Sequence, residues 1–231
     1  MHYNGKTLGV LGGMGPLATA DFLRVLANRT PAKCDQEHPH MILYSRPEIP
    51  DRTKCILEGN LAPIAYLREG LSKLKEWGAD VFAVPCNTSH FFLDQIINDL
   101  KLPLVHIIDE TTKQAKKVSP SGAWLMATKG TLKTNLYETH GNKLSYTFFR
   151  PDDDQQKRVD NVIDLVKSGQ TDESAVEMKE VCDILWRKAK LPIIAACTEL
   201  PLAFELADLP EEMMISSINA LADGCINRLY Y

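Results

Sequence analysis

Short apolar runs, each followed by a stretch of helical periodicity, recur along the whole chain, and this alternation restricts the fold more than any other feature. Residues 7–11 read as a strand, followed by Gly12-Gly13-Met14-Gly15-Pro16. Ala18, Phe22, Val25 and Leu26 then fall on one helical face. A second strand at 41–44 leads into a loop at 45–54 that contains Pro47 and Pro50. Ile64, Leu67, Leu71 and Leu74 form another stripe, which Gly78 ends. A strand at 81–84, a helix at 91–100 and a strand at 104–107 follow. The second half repeats the logic, with strands at 123–126, 144–148, 192–196 and 213–216. Its helices are expected at 132–140, around Val159, Val162, Ile163 and Val166, at 173–188 and at the end of the chain. Strands this apolar, separated by helices, form parallel sheets covered on both faces. The expected fold is therefore α/β, with two pseudo-symmetric lobes, each a roughly four-stranded, mainly parallel sheet flanked by helices. The active site is expected in the cleft between them. Residues 1–102 make the first lobe, with 209–231 returning to it, and 103–208 make the second.

The halves also echo each other in residues. Val84-Pro85-Cys86-Asn87-Thr88 matches Ala195-Ala196-Cys197-Thr198-Glu199, so each half places a cysteine just past its third strand. Ligands of open parallel sheets bind beyond the carboxyl ends of the strands. A helix start after each cysteine is expected to lower the thiol pKa. Asn87, Thr88 and Thr198 offer donors for a carboxylate. Six cysteines are present, none spaced as a Cys-x-x-Cys clip, and the opening residues give no expectation of a secretory leader. The expectation is a cytoplasmic chain with reduced thiols. The plain alternative is that all six are small core residues. Cys34, Cys55, Cys182 and Cys225 lack the repeated context and fit that reading.

Two opposed thiols suit inversion at the α-carbon of an amino acid: one removes the proton and the other returns one to the opposite face. Oriented donors must then stabilise the carbanion. At this point the chain resembles the aspartate/glutamate racemase family. The resemblance rests on residues 11–20, Thr30-Pro31-Ala32-Lys33, Ile49-Pro50-Asp51-Arg52-Thr53, Pro85-Cys86-Asn87-Thr88 with His90, and Cys197-Thr198-Glu199. It implies a racemase that needs no pyridoxal phosphate or other cofactor, acting on aspartate, or on glutamate or a broader set, as a homodimer. Cys86 and Cys197 would be the two acid/base thiols. Arg52, and Lys167 in Val166-Lys167-Ser168-Gly169, would hold carboxylate, helped by the Met14 backbone, Asn87, Thr88, Thr128 and Thr198. Ser89 stands where alanine is commoner in the family.

Each assignment has a plainer counterpart. Arg52 reads equally as a solvated loop residue, and Lys167 as a charge complementing a helix C-terminus. His90 orients the first thiol, or caps or packs. Gly13-x-Gly15-x-x-Ala18 fits a dinucleotide fingerprint only formally, because no acidic residue ends the next strand. The six histidines are not spaced as a metal set, so no metal is expected. Asp152-Asp153-Asp154 reads as a solvated turn before a helix. A net charge of −4 offers no basic field for nucleic acid, and no apolar run reaches the roughly 18 residues that span a bilayer. The competing functions are a one-cysteine decarboxylase or isomerase of small diacids with this fold, an inactive amino-acid-binding protein, and a thiol redox protein.

Overall fold

A computed structural model describes residues 2–230. The chain divides into two compact units, Met1–Glu110 with Ile218–Tyr231, and Thr111–Ser217. The first contains β1 (Leu8–Gly12), α1 (Pro16–Arg29), β2 (Met41–Ser45), α2 (Arg52–Glu58), α3 (Pro63–Glu76), β3 (Val81–Ala83), α4 (His90–Leu93), α5 (Ile97–Leu100) and β4 (Leu104–Val105). The division falls within α6 (Ile107–Val118). The second unit then contains β5 (Ala123–Met126), α7 (Lys129–Lys133), α8 (Leu136–Asn142), β6 (Phe148–Phe149), α9 (Asp153–Lys167), α10 (Thr171–Lys188), β7 (Ile193–Ala195), α11 (Leu200–Leu206) and β8 (Met214–Ser216). The last helix, α12 (Ser217–Leu229), leads back to the first unit. No helix among the described residues is long and apolar enough to cross a membrane.

Each unit holds one four-stranded sheet, and the two share a strand order: β2-β1-β3-β4 and β6-β5-β7-β8. Every pairing is parallel. All residues of β1, β3, β5 and β7 are buried, as strands covered by helices on both faces must be. In the first unit Leu67, Leu71 and Leu74 of α3 are fully buried. Gly70 brings that helix close to β1, where a Cβ would lie 2.6 Å from Leu11. In the second, the α9 stripe of Val159, Val162, Ile163 and Val166 packs with Met178, Val181, Cys182 and Leu185 of α10. Asp152 caps α9 in a capping box with Gln155.

Several sequence expectations change. β4 pairs with β3, and β8 with β7. The two compact units divide at 110/111 and 217/218. The loop expected at 45–54 ends at Asp51, whose carboxylate accepts from the Lys54 N–H and starts α2, so Arg52 sits on a helix. The helix expected at 91–100 breaks between α4 and α5, and Phe92, Leu93 and Ile96 all reach the core. The one expected at 132–140 breaks at Asn135, which takes the left-handed conformation that asparagine tolerates. The strand expected at 144–148 shrinks to β6, because Leu144 and Tyr146 bond back to the Gly141 carbonyl.

The loop after β1 is shaped by two contacts. Thr19 of α1 accepts the Gly13 N–H at 2.9 Å and donates to the Gly15 carbonyl at 2.9 Å. Gly13 has φ +93°, and a Cβ there would lie 2.5 Å from the Arg46 nitrogen just past β2. Gly13→Ala is therefore expected to lower stability by about 2 kcal/mol or more, through both φ and overlap with main chain. Urea unfolding measures it, and a loss below about 0.5 kcal/mol would contradict this packing.

Candidate active site

In both sheets the first strand lies between the second and third, so the chain leaves it in opposite directions on the two sides. Such a switch point opens a crevice at the carboxyl edge of the strands. Cys86 follows β3, and Cys197 follows β7, at that edge of their own sheets.

In the first unit, Met14 and Cys86 share one apolar cluster with Ile49 and Val84. Asn87 and Thr88 are buried in the turn after Cys86. Two arginines lie in the segment after β2, in different states. Arg46 is buried, bonded to Glu48 at 2.6 Å and Glu69 at 3.0 Å, and stacked near the rings of Tyr44 and Tyr66. Its charge is spent within the protein. Arg52 donates from Nη1 to the carbonyls of Ile49, at 3.0 Å, and Pro50, at 3.3 Å. Its Nε is buried without a hydrogen-bond partner, and among the described residues no carboxylate pairs with it. Arg52 is thus oriented but not neutralised.

In the second unit, the Cys197 thiol donates to Glu199 Oε2 at 2.9 Å, and the Thr198 hydroxyl donates to the same oxygen at 3.1 Å. All three residues are buried. Burial pushes the Cys197 thiol well above its ordinary pKa, and the Glu199 charge adds to this, while Lys167 at the end of α9 opposes it. This corrects the expectation of a thiol acidified by a following helix. The helix after Cys197 has seven residues, and the adjacent carboxylate and burial outweigh it. Thr128 caps α7 by accepting the Thr131 N–H, and its hydroxyl meets that of Thr131. Tyr137, fully buried, feels the Cys197 charge, and burial raises its own pKa.

Met14, Cys86, Asn87, Thr88 and Arg52 thus lie in the first unit, and Cys197, Thr198 and Lys167 in the second. Thr128 follows β5 in the same unit as Cys197. Sequence reasoning quoted Glu199 in a motif without giving it a role, and it passed over Arg46. Glu199 was findable, as a carboxylate two residues past a cysteine. Arg46 was not, because Tyr66 and Glu69 are remote in sequence. The other cysteines behave as core or surface residues: Cys34 is exposed, and Cys182, its thiol pushed up to about 12 by burial, packs on Met178. A cleft lined by Lys129, Arg150, Lys157 and others carries no open cationic field, since Asp160, Glu138 and Asp154 pair with these three.

Each unit thus carries a parallel sheet of the same strand order, with a cysteine two or three residues past its third strand. The chain belongs to the Asp/Glu/Hydantoin racemase family, whose model matches residues 11–224. It is 30% identical over 135 residues to a broad specificity amino-acid racemase of Bacillus subtilis, a match covering 57% of this chain and 58% of that protein. Picrophilus torridus aspartate racemase superposes with a TM-score of 0.84 at 30% identity, over 97% of this chain and 94% of that one. A glutamate racemase of Bacillus anthracis shares the fold, with a TM-score of 0.72 at 19% identity, over 99% of this chain and 82% of that one.

The electrostatics of Cys197 have a measurable consequence. Iodoacetamide attacks thiolate, so alkylation of Cys197 should rise about tenfold per pH unit between pH 7 and 9 without levelling. Lys167→Ala removes a charge that favours thiolate and should slow the reaction at fixed pH; Glu199→Gln removes an opposing charge and should speed it. Peptide mass spectrometry reads the rate, and a plateau at or below pH 8 would contradict this environment.

Proposed function

We propose that the chain is a cofactor-independent racemase of acidic amino acids, aspartate first among them, working through Cys86 and Cys197. The observation that carries the reading is the equivalent placement of the two thiols in two sheets of identical order. Inversion needs a thiolate on one face of Cα and a thiol on the other, and these residues take the two roles. The thiolate removes the α-proton, the thiol delivers its own to the opposite face, and the roles exchange for the reverse reaction. Glu199, hydrogen-bonded to the Cys197 thiol, takes that proton when Cys197 must serve as base.

The α-hydrogen beside a carboxylate is weakly acidic, so the developing charge needs fixed donors. Asn87, Thr88, Thr128, Thr198 and the Met14 backbone fill that role in this reading. Two carboxylates call for two cations, and Arg52 and Lys167 are assigned to them. The aspartate racemase and broad specificity racemase among the relatives favour an acidic or a wider substrate range. A homodimer in a reducing cytoplasm completes the reading.

In D2O the wild-type chain should carry deuterium into Cα of aspartate as it inverts the centre. Cys86→Ala and Cys197→Ala should each lower inversion by about 10³-fold, and Glu199→Gln by roughly 10²-fold. Arg52→Ala should act mainly on KM, raising it by about tenfold or more. Inversion that survives both cysteine substitutions would sink the mechanism. Release of CO2 from a malonate would mark a decarboxylase instead.

A further inference from the structure

Cys86 is held in a different way from Cys197, by its main-chain carbonyl. That oxygen accepts from Ser89 Oγ at 2.8 Å and lies 2.9 Å from His90 Nδ1. A carbonyl can only accept, so Nδ1 carries the proton and Nε2 is left as an acceptor. The Ile107 N–H, at the first residue of α6, points to Nε2 at 3.5 Å. This is one of the N–H groups that a helix start cannot satisfy internally. The imidazole, with no exposure to solvent, therefore bridges the Cys86 carbonyl and the start of α6. The His106 ring packs edge-on against it with centroids 4.5 Å apart, and His106 Nε2 meets Asp94 Oδ1 at 2.9 Å. Asp94 closes the circuit: its N–H donates to the His90 carbonyl at 2.9 Å.

We propose that His90 is a positioning residue that clamps the Cys86 carbonyl to the start of α6 and so fixes the approach of this thiol to Cα. The proposal rests on the racemase reading and deepens it. A residue that acts as acid in one direction and base in the other must keep its place as its sulfur gains and loses a proton. A clamp on the main chain is indifferent to that change, whereas a bond to sulfur is not. Cys197 uses the second kind, its Sγ donating directly to Glu199. The two thiols are therefore held by different means, and damage to the His90 clamp should fall on one proton transfer only. Misplacement of a reacting group by about 1 Å is enough for a loss of roughly 10² in rate.

The equilibrium constant of racemisation is unity by symmetry, so kcat/KM must fall equally in both directions and cannot reveal which thiol is impaired. Partition of the carbanion can. Both enantiomers of aspartate are incubated in D2O with each variant, and α-deuterium exchange and inversion are followed separately. Cys86→Ser identifies the enantiomer deprotonated by Cys197, the one that still exchanges while inversion is lost. For that enantiomer, His90→Leu and His90→Gln should raise the ratio of exchange to inversion by about tenfold or more. For the other enantiomer both rates should fall together. His90→Asn, whose amide nitrogen can take the place of Nδ1, should restore the ratio to within about twofold of wild type. Ser89→Ala should stay in the same range, because His90 still holds the carbonyl.

If His90→Leu does not fold, His90→Gln against His90→Asn carries the comparison. Unchanged ratios in His90→Leu and His90→Gln, or equal impairment in His90→Gln and His90→Asn, would overturn the clamp. A wild-type chain that neither exchanges nor inverts any amino acid would overturn the racemase reading instead. The clamp is then judged by alkylation of Cys86, whose rate should change at least about threefold in His90→Gln and not in His90→Asn. Equal rates in the two would remove it.

Discussion

A parallel pair of strands puts both carboxyl ends on the same edge of a sheet, and a strand with parallel neighbours on either side sends its successors away in opposite directions. β1 and β5 are such strands, each paired on one side with the next strand of its unit and on the other with the third. In open parallel sheets such a switch point is where the connections splay apart and ligands bind. Everything of chemical interest in the two units follows from this. The glycine loop after β1, Thr128 after β5, and the two cysteines after β3 and β7 reach that edge because the strands carrying them are parallel.

The same edge must tolerate buried polar groups, and each unit does so by giving them internal partners. Arg46 is neutralised by Glu48 and Glu69. Gly13 lies on the main chain of Arg46, held by Thr19. The Cys86 carbonyl takes two side-chain donors. Arg52 and Cys197 are held differently: the Arg52 Nε is buried without a hydrogen-bond partner, and the Cys197 thiol is paired to a carboxylate.

Much of this was legible in residues. The apolar runs of β1, β3, β5 and β7 declared strands buried on both faces, and the echo between the segments around Cys86 and Cys197 declared equivalent places in two sheets. Local polarity was a poorer guide. The segment with Pro47 and Pro50 reads as loop to its end, yet Asp51 caps a helix that carries Arg52. Asn135 interrupts a helix whose periodicity runs through it, because only the packing on either side chooses the left-handed turn. Sheet membership of β4 and β8 was equally hidden, since a strand of two or three residues has no pattern that names its neighbour.

The sequence by itself determined the architecture, the equivalent places of Cys86 and Cys197 after their strands, and the family, because these rest on periodicity and on short contiguous motifs. Tertiary structure decided the electrical and mechanical state of the site. Whether Cys197 is acidified by a helix or held protonated by burial and Glu199 depends on what surrounds the sulfur. Whether the Arg46 charge is paired or open depends on Glu69 and Tyr66, about twenty residues away in the chain. Whether His90 caps, packs or bridges depends on where α6 begins. Burial and through-space contact set these properties, and neither is written in the spacing of residues along the chain.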